Sequence, residues 1–440
     1  MISNLSIWAY GVFMRLVQPL LRRKLHKRAQ AEPLYGQFME ERFGHYTQSE
    51  HQDWIWIHAV SLGETRTAAI LLEGLRKAMP EMKLLLTNGT ATGREEGRKL
   101  LQEGDLQVWQ PWDSPEVLDR FLSAFKPKMG LLLETEVWPL LVQRAQVHGV
   151  PLMLVNARLS EKSMLQVQRW PSLMRPAYAG LSAVCAQTED DATRLKTLGA
   201  KVQGIFGNLK FDAKPDEVQV ALGQSWRHRL SAPVVMLASS REGEESSWLE
   251  AWHQFTTRDP GVQIHWLIVP RHPQRVNEVD SLLKAGGLRV SRRSTWGQEG
   301  PVLNTGSSSQ VTDDTSVILL GDSLGEMALY FSMTDVALLG GSFEKLGGQN
   351  LIEAAACACP LVVGPHTFNF SEACQAAEAA GAAQRAPDMA EAVRLAIETA
   401  QNRQLQQMRS QHALQFAKQH GGASQRTVLA VQALLNSIRD

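Results

Sequence analysis

Three acids and one lysine stand where apolar runs give way to loops. The segment His58-Ala59-Val60-Ser61-Leu62-Gly63-Glu64 closes one β-rich run and precedes a helix expected over 65–79, which puts Glu64 at a strand-to-helix turn. Glycine there admits close backbone approach, the helix start offers unpaired N–H donors, and a carboxylate can take a proton from a sugar hydroxyl. The same acid would equally complement the helix dipole from the first turn, so spacing leaves both readings open. Glu134 and Glu136 follow the wholly apolar run Leu131-Leu132-Leu133, and Lys210 lies in Phe206-Gly207-Asn208-Leu209-Lys210-Phe211-Asp212, where a cation can meet a leaving phosphate.

A second set follows later in the chain. Pro270, Arg271 and His272 end an apolar strand, a position where arginine suits an anionic ligand. Asp322-Ser323-Leu324-Gly325-Glu326 reads as a strand-turn-helix start, and Gly340-Gly341-Ser342 closes another strand. Gly347-Gly348-Gln349-Asn350-Leu351-Ile352-Glu353 sets paired glycines ahead of a helix, the pattern of a phosphate seat built from backbone N–H groups, with Glu353 placed for ribose hydroxyls. Ordinary turns share that pattern. Asp-x-Asp, His-x-x-x-His and Gly-Lys-Ser/Thr spacings are missing, so metal-assisted phosphoryl transfer has no sequence support.

These residues need strands that all point one way. Runs at 54–60, 83–87, 129–133, 152–156, 182–186 and 201–206 alternate with helix-period segments, and a second series occupies 234–239, 264–269, 288–291, 316–320, 336–339 and 361–363. Strand, helix, strand predicts parallel sheets, hence an α/β protein of two Rossmann-like domains, with ligands expected in a cleft at the strands' carboxyl ends. The expected division is 31–222 and 223–420, with a terminal helix over 421–440 able to cross back to the first domain. The stretch 292–314 reads as a polar surface loop, and 388–440 as helical apart from Gly421-Gly422.

The 440 residues exceed one core's usual reach, which agrees with two domains. Forty-five basic residues offset 45 acidic ones, which removes the broad positive surface of a nucleic-acid-binding protein. Cys185, Cys357, Cys359 and Cys374 sit in apolar runs and read as packing residues in a reducing compartment. Residues 1–30 stand apart. An apolar run over 5–21 is followed by Arg22, Arg23, Lys24, Lys27 and Arg28, while Asn4, Gly11, Arg15, Gln18 and Arg22 form one polar stripe on a helix. Such a helix either associates with a membrane, its basic block on the cytoplasmic side, or docks on the protein's own core.

Taken together, the ordered segments resemble the 3-deoxy-D-manno-octulosonic acid (Kdo) transferases of lipopolysaccharide synthesis. The match runs through His58–Glu64, Glu134-Thr135-Glu136-Val137-Trp138-Pro139, Asn156-Ala157-Arg158-Leu159-Ser160, Gly207–Asp212, Pro270-Arg271-His272-Pro273, Gly340–Ser342, Gly347–Asn350 and Gly364-Pro365-His366. The resemblance implies a GT-B fold, CMP-Kdo as donor rather than any bound cofactor, a lipid A precursor as acceptor, and an inverting, metal-independent glycosyl transfer at the inner membrane. It assigns Glu64 as general base. Glu134 and Lys210 become transition-state stabilisers, with Glu136 the alternative acid. Pro270, Arg271, Leu324, Gly325, Glu326, Gly348, Gln349, Asn350 and Glu353 would hold CMP. Gln349, where many members have histidine, and Thr90-Ala91-Thr92-Gly93, where many have Thr-Pro-Thr-Gly, depart from the family pattern. The rival readings are a nucleotide-sugar epimerase on a similar fold and a membrane-tethered sugar-nucleotide sensor.

Overall fold

The computed structural model describes residues 2–47, 53–301, 303 and 317–439. It divides into two compact units, 1–212 together with 421–440, and 213–420. The division falls after Asp212 and not at 222, because the helix Glu217–Arg229 spans that position and belongs wholly to the second unit.

The first unit carries β1 (Trp54–His58), β2 (Lys83–Asn88), β3 (Leu106–Trp109), β4 (Met129–Leu133), β5 (Leu152–Ala157), β6 (Ala183–Ala186) and β7 (Val202–Ile205). They form one sheet in the order β3-β2-β1-β4-β5-β6-β7, and their pairings are parallel. Strands β1 and β4 are buried at every position. That is the signature of a sheet covered by helices on both faces, and continuous apolar runs are what such strands require. One face packs Trp56, Phe121 and Leu154; the other packs Ile57, Leu71 and Leu131.

The second unit repeats the plan with β8 (Val234–Ser240), β9 (His265–Pro270), β10 (Arg289–Arg292), β11 (Val317–Leu320), β12 (Val336–Leu339), β13 (Leu361–Val363) and β14 (Ala383–Arg385). Their order is β10-β11-β9-β8-β12-β13-β14, again with parallel pairings. Two strands, β3 and β14, were not expected from sequence; both are sheet edges. The start of the expected loop is also more ordered than its polarity suggested, since Trp296 is buried against Trp226 and donates to Ser291 Oγ at 2.9 Å. The Thr305–Ser309 stretch lies outside the described residues. Cys185, Cys359 and Cys374 are buried and all four thiols are free, as packing residues would be.

After the second unit the chain returns. The expected helical tail is three helices, Met389–Gln401, Arg403–His420 and Ala423–Arg439. The last packs on Leu62–Ala78, and its Ala423, Val428 and Val431 join the first unit's core. Asp212 fastens this return by accepting hydrogen bonds from the Gly422 and Ser424 amides.

Residues Ile2–Ala31 form one helix whose polarity is reversed with respect to the protein. The polar stripe faces inward: Arg15 pairs with Glu116, Gln18 donates to Ser114 Oγ at 3.1 Å, and Arg22 donates to Glu40 while its guanidinium lies 3.6 Å from the Phe43 ring centre. Gly11 lets the helix approach Pro115. Outward lie Leu5, Trp8, Phe13, Leu16 and Leu20, between 58 and 74% exposed. At 100° per residue they share one face. The Asn4 side chain lies outside the described residues. Among the described residues no helix is long and apolar enough to cross a membrane.

Because Asp212 receives two backbone N–H groups from a segment roughly 200 positions away, Asp212→Ala is expected to cost the first unit about 1.5–3 kcal/mol. Urea unfolding followed by circular dichroism will show this as an earlier transition.

Candidate active site

Glu64 lies inside a helix, not ahead of it. The helix begins at Leu62, three residues earlier than its hydrophobic period indicates, because Ser61 caps it. The Glu64 amide donates to Ser61 Oγ at 3.3 Å, Ser61 Oγ donates back to Glu64 Oε1 at 2.9 Å, and the Val60 amide donates to Oε2 at 2.8 Å. This is a capping box shifted by one residue, so both readings of Glu64 left open by spacing are occupied by one side chain. Burial raises the Glu64 pKa above the usual carboxylate value; the Val60 and Ser61 hydrogen bonds pull it down, and the charge of Glu134 adds to the rise. A base of that kind holds a proton more firmly than a surface acid does.

Glu134 comes from the neighbouring strand. The backbone leaves β4 with φ 54° at Glu134 and turns on the Glu136 amide, which donates to Leu133 O at 3.2 Å. Left-handed backbone is unfavourable for a glutamate and persists where surrounding contacts fix it. Here they do. Lys210 Nζ donates to Oε1 at 3.1 Å, Arg158 Nε stands 3.1 Å from Oε2, and the carboxylate is buried. Lys210 is delivered by a short turn, Leu209–Asp212, whose Leu209 amide donates to Asn156 Oδ1 at 2.9 Å. Asn156 is buried with φ 52°, and its Nδ2 has no hydrogen-bond partner.

Glu136 accepts from Trp138 Nε1 at 2.8 Å. Burial, then the charges of Glu64 and Glu134, push its pKa up to about 7. The two acids of this turn therefore differ in kind: Glu134 is tied to two cations, whereas burial and the neighbouring carboxylates favour the protonated form of Glu136. Glu64, Glu134, Glu136 and Lys210 thus converge at the carboxyl edge of one sheet. Arg158 and Asn156 complete the set. Sequence reading had placed them in a matched segment without a role, since nothing in spacing announces that a loop arginine will reach an acid on the next strand.

In the second unit the chosen residues follow β9, β11 and β12, which with β8 lie side by side in the sheet. The Arg271 amide donates to Ser240 O at 2.9 Å and its side chain is exposed, as is His272. Leu324 is exposed beside Gly325 at φ 79°, and the Gly325 carbonyl accepts from Gln219 Nε2. Glu326 accepts from Arg293 Nη2 at 2.8 Å and from Ser323. Gly347 and Gly348 have φ 89° and 77°, conformations that glycine adopts at no steric cost. Gly348 then donates to Gly341 O at 2.7 Å, while Asn350 Oδ1 accepts the Ile352 amide.

The helix behind these glycines is only Ile352–Ala356. A single turn has little macrodipole, so an anion seat here rests on loop N–H groups and not on a helix terminus. Glu353 is half-buried in that turn. Sequence reading missed Glu244, which is fully buried and accepts from the Arg241, Gly341 and Phe343 amides at 2.8, 2.8 and 3.1 Å. It thereby ties the loop after β8 to the loop after β12. Gly340 permits the same approach, because a Cβ there would stand 2.3 Å from Ser239 O. Among the described residues no group of three or more His, Cys, Asp or Glu side chains is placed to hold a metal ion.

Comparison with known proteins gives this geometry a family. Over 87–90% of the chain the fold matches two solved structures that are matched along their whole length, both at TM-score 0.56. One is a glycosyltransferase from Rickettsia africae (12% identity, 90% of this chain), the other a UDP-GlcNAc 2-epimerase from Neisseria meningitidis (16%, 87% of this chain). At such identities the likeness shows the two-domain α/β, GT-B-type fold and nothing more. Sequence decides between them. The family model for 3-deoxy-D-manno-octulosonic-acid transferase (kdotransferase) matches residues 37–213, and the 3-deoxy-D-manno-octulosonic acid transferase of Bordetella pertussis is 43% identical over 390 residues, 86% of each chain. The chain belongs to the Kdo transferase family of glycosyltransferases.

Proposed function

We propose that this Kdo transferase takes its sugar from CMP-Kdo and delivers it to a lipid A precursor, with inversion and without a metal ion, at the cytoplasmic face of the inner membrane. The observation that carries the proposal is the half-buried carboxylate of Glu64, its pKa raised, beside the Glu134–Lys210 pair. In this mechanism Glu64 takes the proton of the acceptor hydroxyl as its oxygen bonds to the anomeric carbon of Kdo. The bond from that carbon to the phosphate oxygen breaks, and CMP departs with the electron pair. Glu134 stabilises the positive character of the sugar, and Lys210 the negative character of the leaving phosphate. Pro270, Arg271, Leu324, Gly325, Glu326, Gly348, Gln349, Asn350 and Glu353 are the proposed CMP contacts. Arg271 supplies a cation to an anion, and the glycines at 347 and 348 let backbone come close to it, which is the support for a reaction without a metal.

Membrane attachment is supported by the reversed helix Ile2–Ala31. Its polar stripe is spent on the protein, and its apolar face is left outward with Arg23, Lys24, Lys27 and Arg28 exposed at its end. An apolar face flanked by lysine and arginine suits the interface of an anionic leaflet.

Three outcomes follow. Glu64→Gln is expected to lower kcat by at least about 10³-fold, near the upper part of the range for losing a general base, while CMP-Kdo affinity measured by calorimetry stays within about twofold. In the wild type, kcat/KM will fall as pH drops through the raised Glu64 pKa, since only the ionised form accepts a proton; an acid limb at the ordinary carboxylate value or below would refute the assignment. Replacing Phe13, Leu16 and Leu20 together by Asn should weaken sedimentation with anionic vesicles by about a hundredfold, on roughly 1 kcal/mol per side chain. Unchanged sedimentation would remove the helix from the membrane.

A further inference from the structure

A second apolar surface lies beside that helix. Leu165, in the short helix Glu161–Val167, is 60% exposed, and Trp170, which precedes the helix Pro171–Ala179, is 68% exposed. Exposed apolar groups set close together mark contact surfaces more often than singly scattered ones do. Around them Lys162, Arg169 and Arg175 are all exposed. A tryptophan among cations is the composition of an interfacial contact, its ring at headgroup depth and the charges on lipid phosphates.

Two connections give this surface a place. Ser172 Oγ and Ser6 Oγ are 2.9 Å apart, so the Pro171–Ala179 helix borders the flank of Ile2–Ala31 that also carries Phe13, seven residues on. In the other direction, Glu161–Val167 begins three residues after Arg158, whose guanidinium pairs with Glu134. The undersides are fixed, since Met164 is buried and Val167 and Met174 pack on the same core as Ile7 and Tyr10. One rigid stretch therefore joins the outward apolar face to the carboxylate cluster.

We infer that Leu165 and Trp170, with Lys162, Arg169 and Arg175, form a second contact with an anionic lipid surface, over which the lipid acceptor passes to Glu64. The acceptor part rests on the function proposed above; the lipid contact does not.

Vesicles of phosphatidylglycerol with brominated acyl chains quench only indoles that enter the bilayer. With the full chain, Trp170→Phe is expected to remove part of the quenchable fluorescence, and a Trp8→Phe, Trp170→Phe double substitution to remove more than Trp8→Phe alone. Quenching of Trp170→Phe equal to wild type overturns the contact. Equal quenching by brominated phosphatidylcholine overturns the role of the three cations. In turnover assays Leu165→Asn with Trp170→Ser should raise KM for the lipid acceptor about tenfold, the equivalent of roughly 1.4 kcal/mol, with kcat and the CMP-Kdo KM unchanged. An unaltered acceptor KM overturns the passage. Failure of wild-type protein to transfer Kdo from CMP-Kdo would instead sink the proposed function, leaving the fluorescence result to stand or fall alone.

Discussion

The ion pairs on Glu134 fix much of the first unit's carboxyl edge. A glutamate in left-handed backbone costs on the order of 1–3 kcal/mol, and Lys210 and Arg158 hold it there from two other segments. With Glu134 in place, the chain turns sharply enough to present Glu136, and its charge reaches Glu64 on the adjoining helix. Removing one cation would leave a buried charge partly unpaired, which is why these three side chains act as one unit. Burial raises the pKa of the candidate base most, its own cap lowers it, and the charge of Glu134 at the end of the neighbouring strand adds to the rise.

The second unit solves the matching problem with backbone. Glu244 gathers three amides from two loops, and Gly340 brings β8 and β12 into contact where any side chain would collide. Flexible glycines at 347 and 348 are then suspended from a rigid frame through the Gly348–Gly341 hydrogen bond. Glycine freedom alone makes a loop; a buried acid behind it makes a shaped one.

Much of this was legible in the order of residues. The central strands announced themselves because burial on both faces demands unbroken apolar runs. Strands β3 and β14 did not, since edges need less burial and carry Gln107, Gln384 and Arg385. Glu64 was placed correctly at the end of β1 but outside its helix, because Ser61 starts a helix that hydrophobic period cannot detect. The difference between Glu134 and Glu136 was beyond reach from spacing, as it depends on Lys210, 76 positions away in the chain. Glu244 was missed for the same reason: two of its partners lie nearly a hundred positions distant. The polar stripe of the first helix was visible, yet its inward orientation needed Glu116, Ser114 and Glu40 to be folded beneath it.

The return of residues 421–440 to the first unit has a consequence for biosynthesis. Ala423, Val428 and Val431 belong to a core whose other members end near position 209, so that core stays open while some two hundred further residues are made. Domains generally fold as units in order of emergence from the ribosome. Here the second unit can close before the first is complete, because the helix Ala423–Arg439 is made only after it.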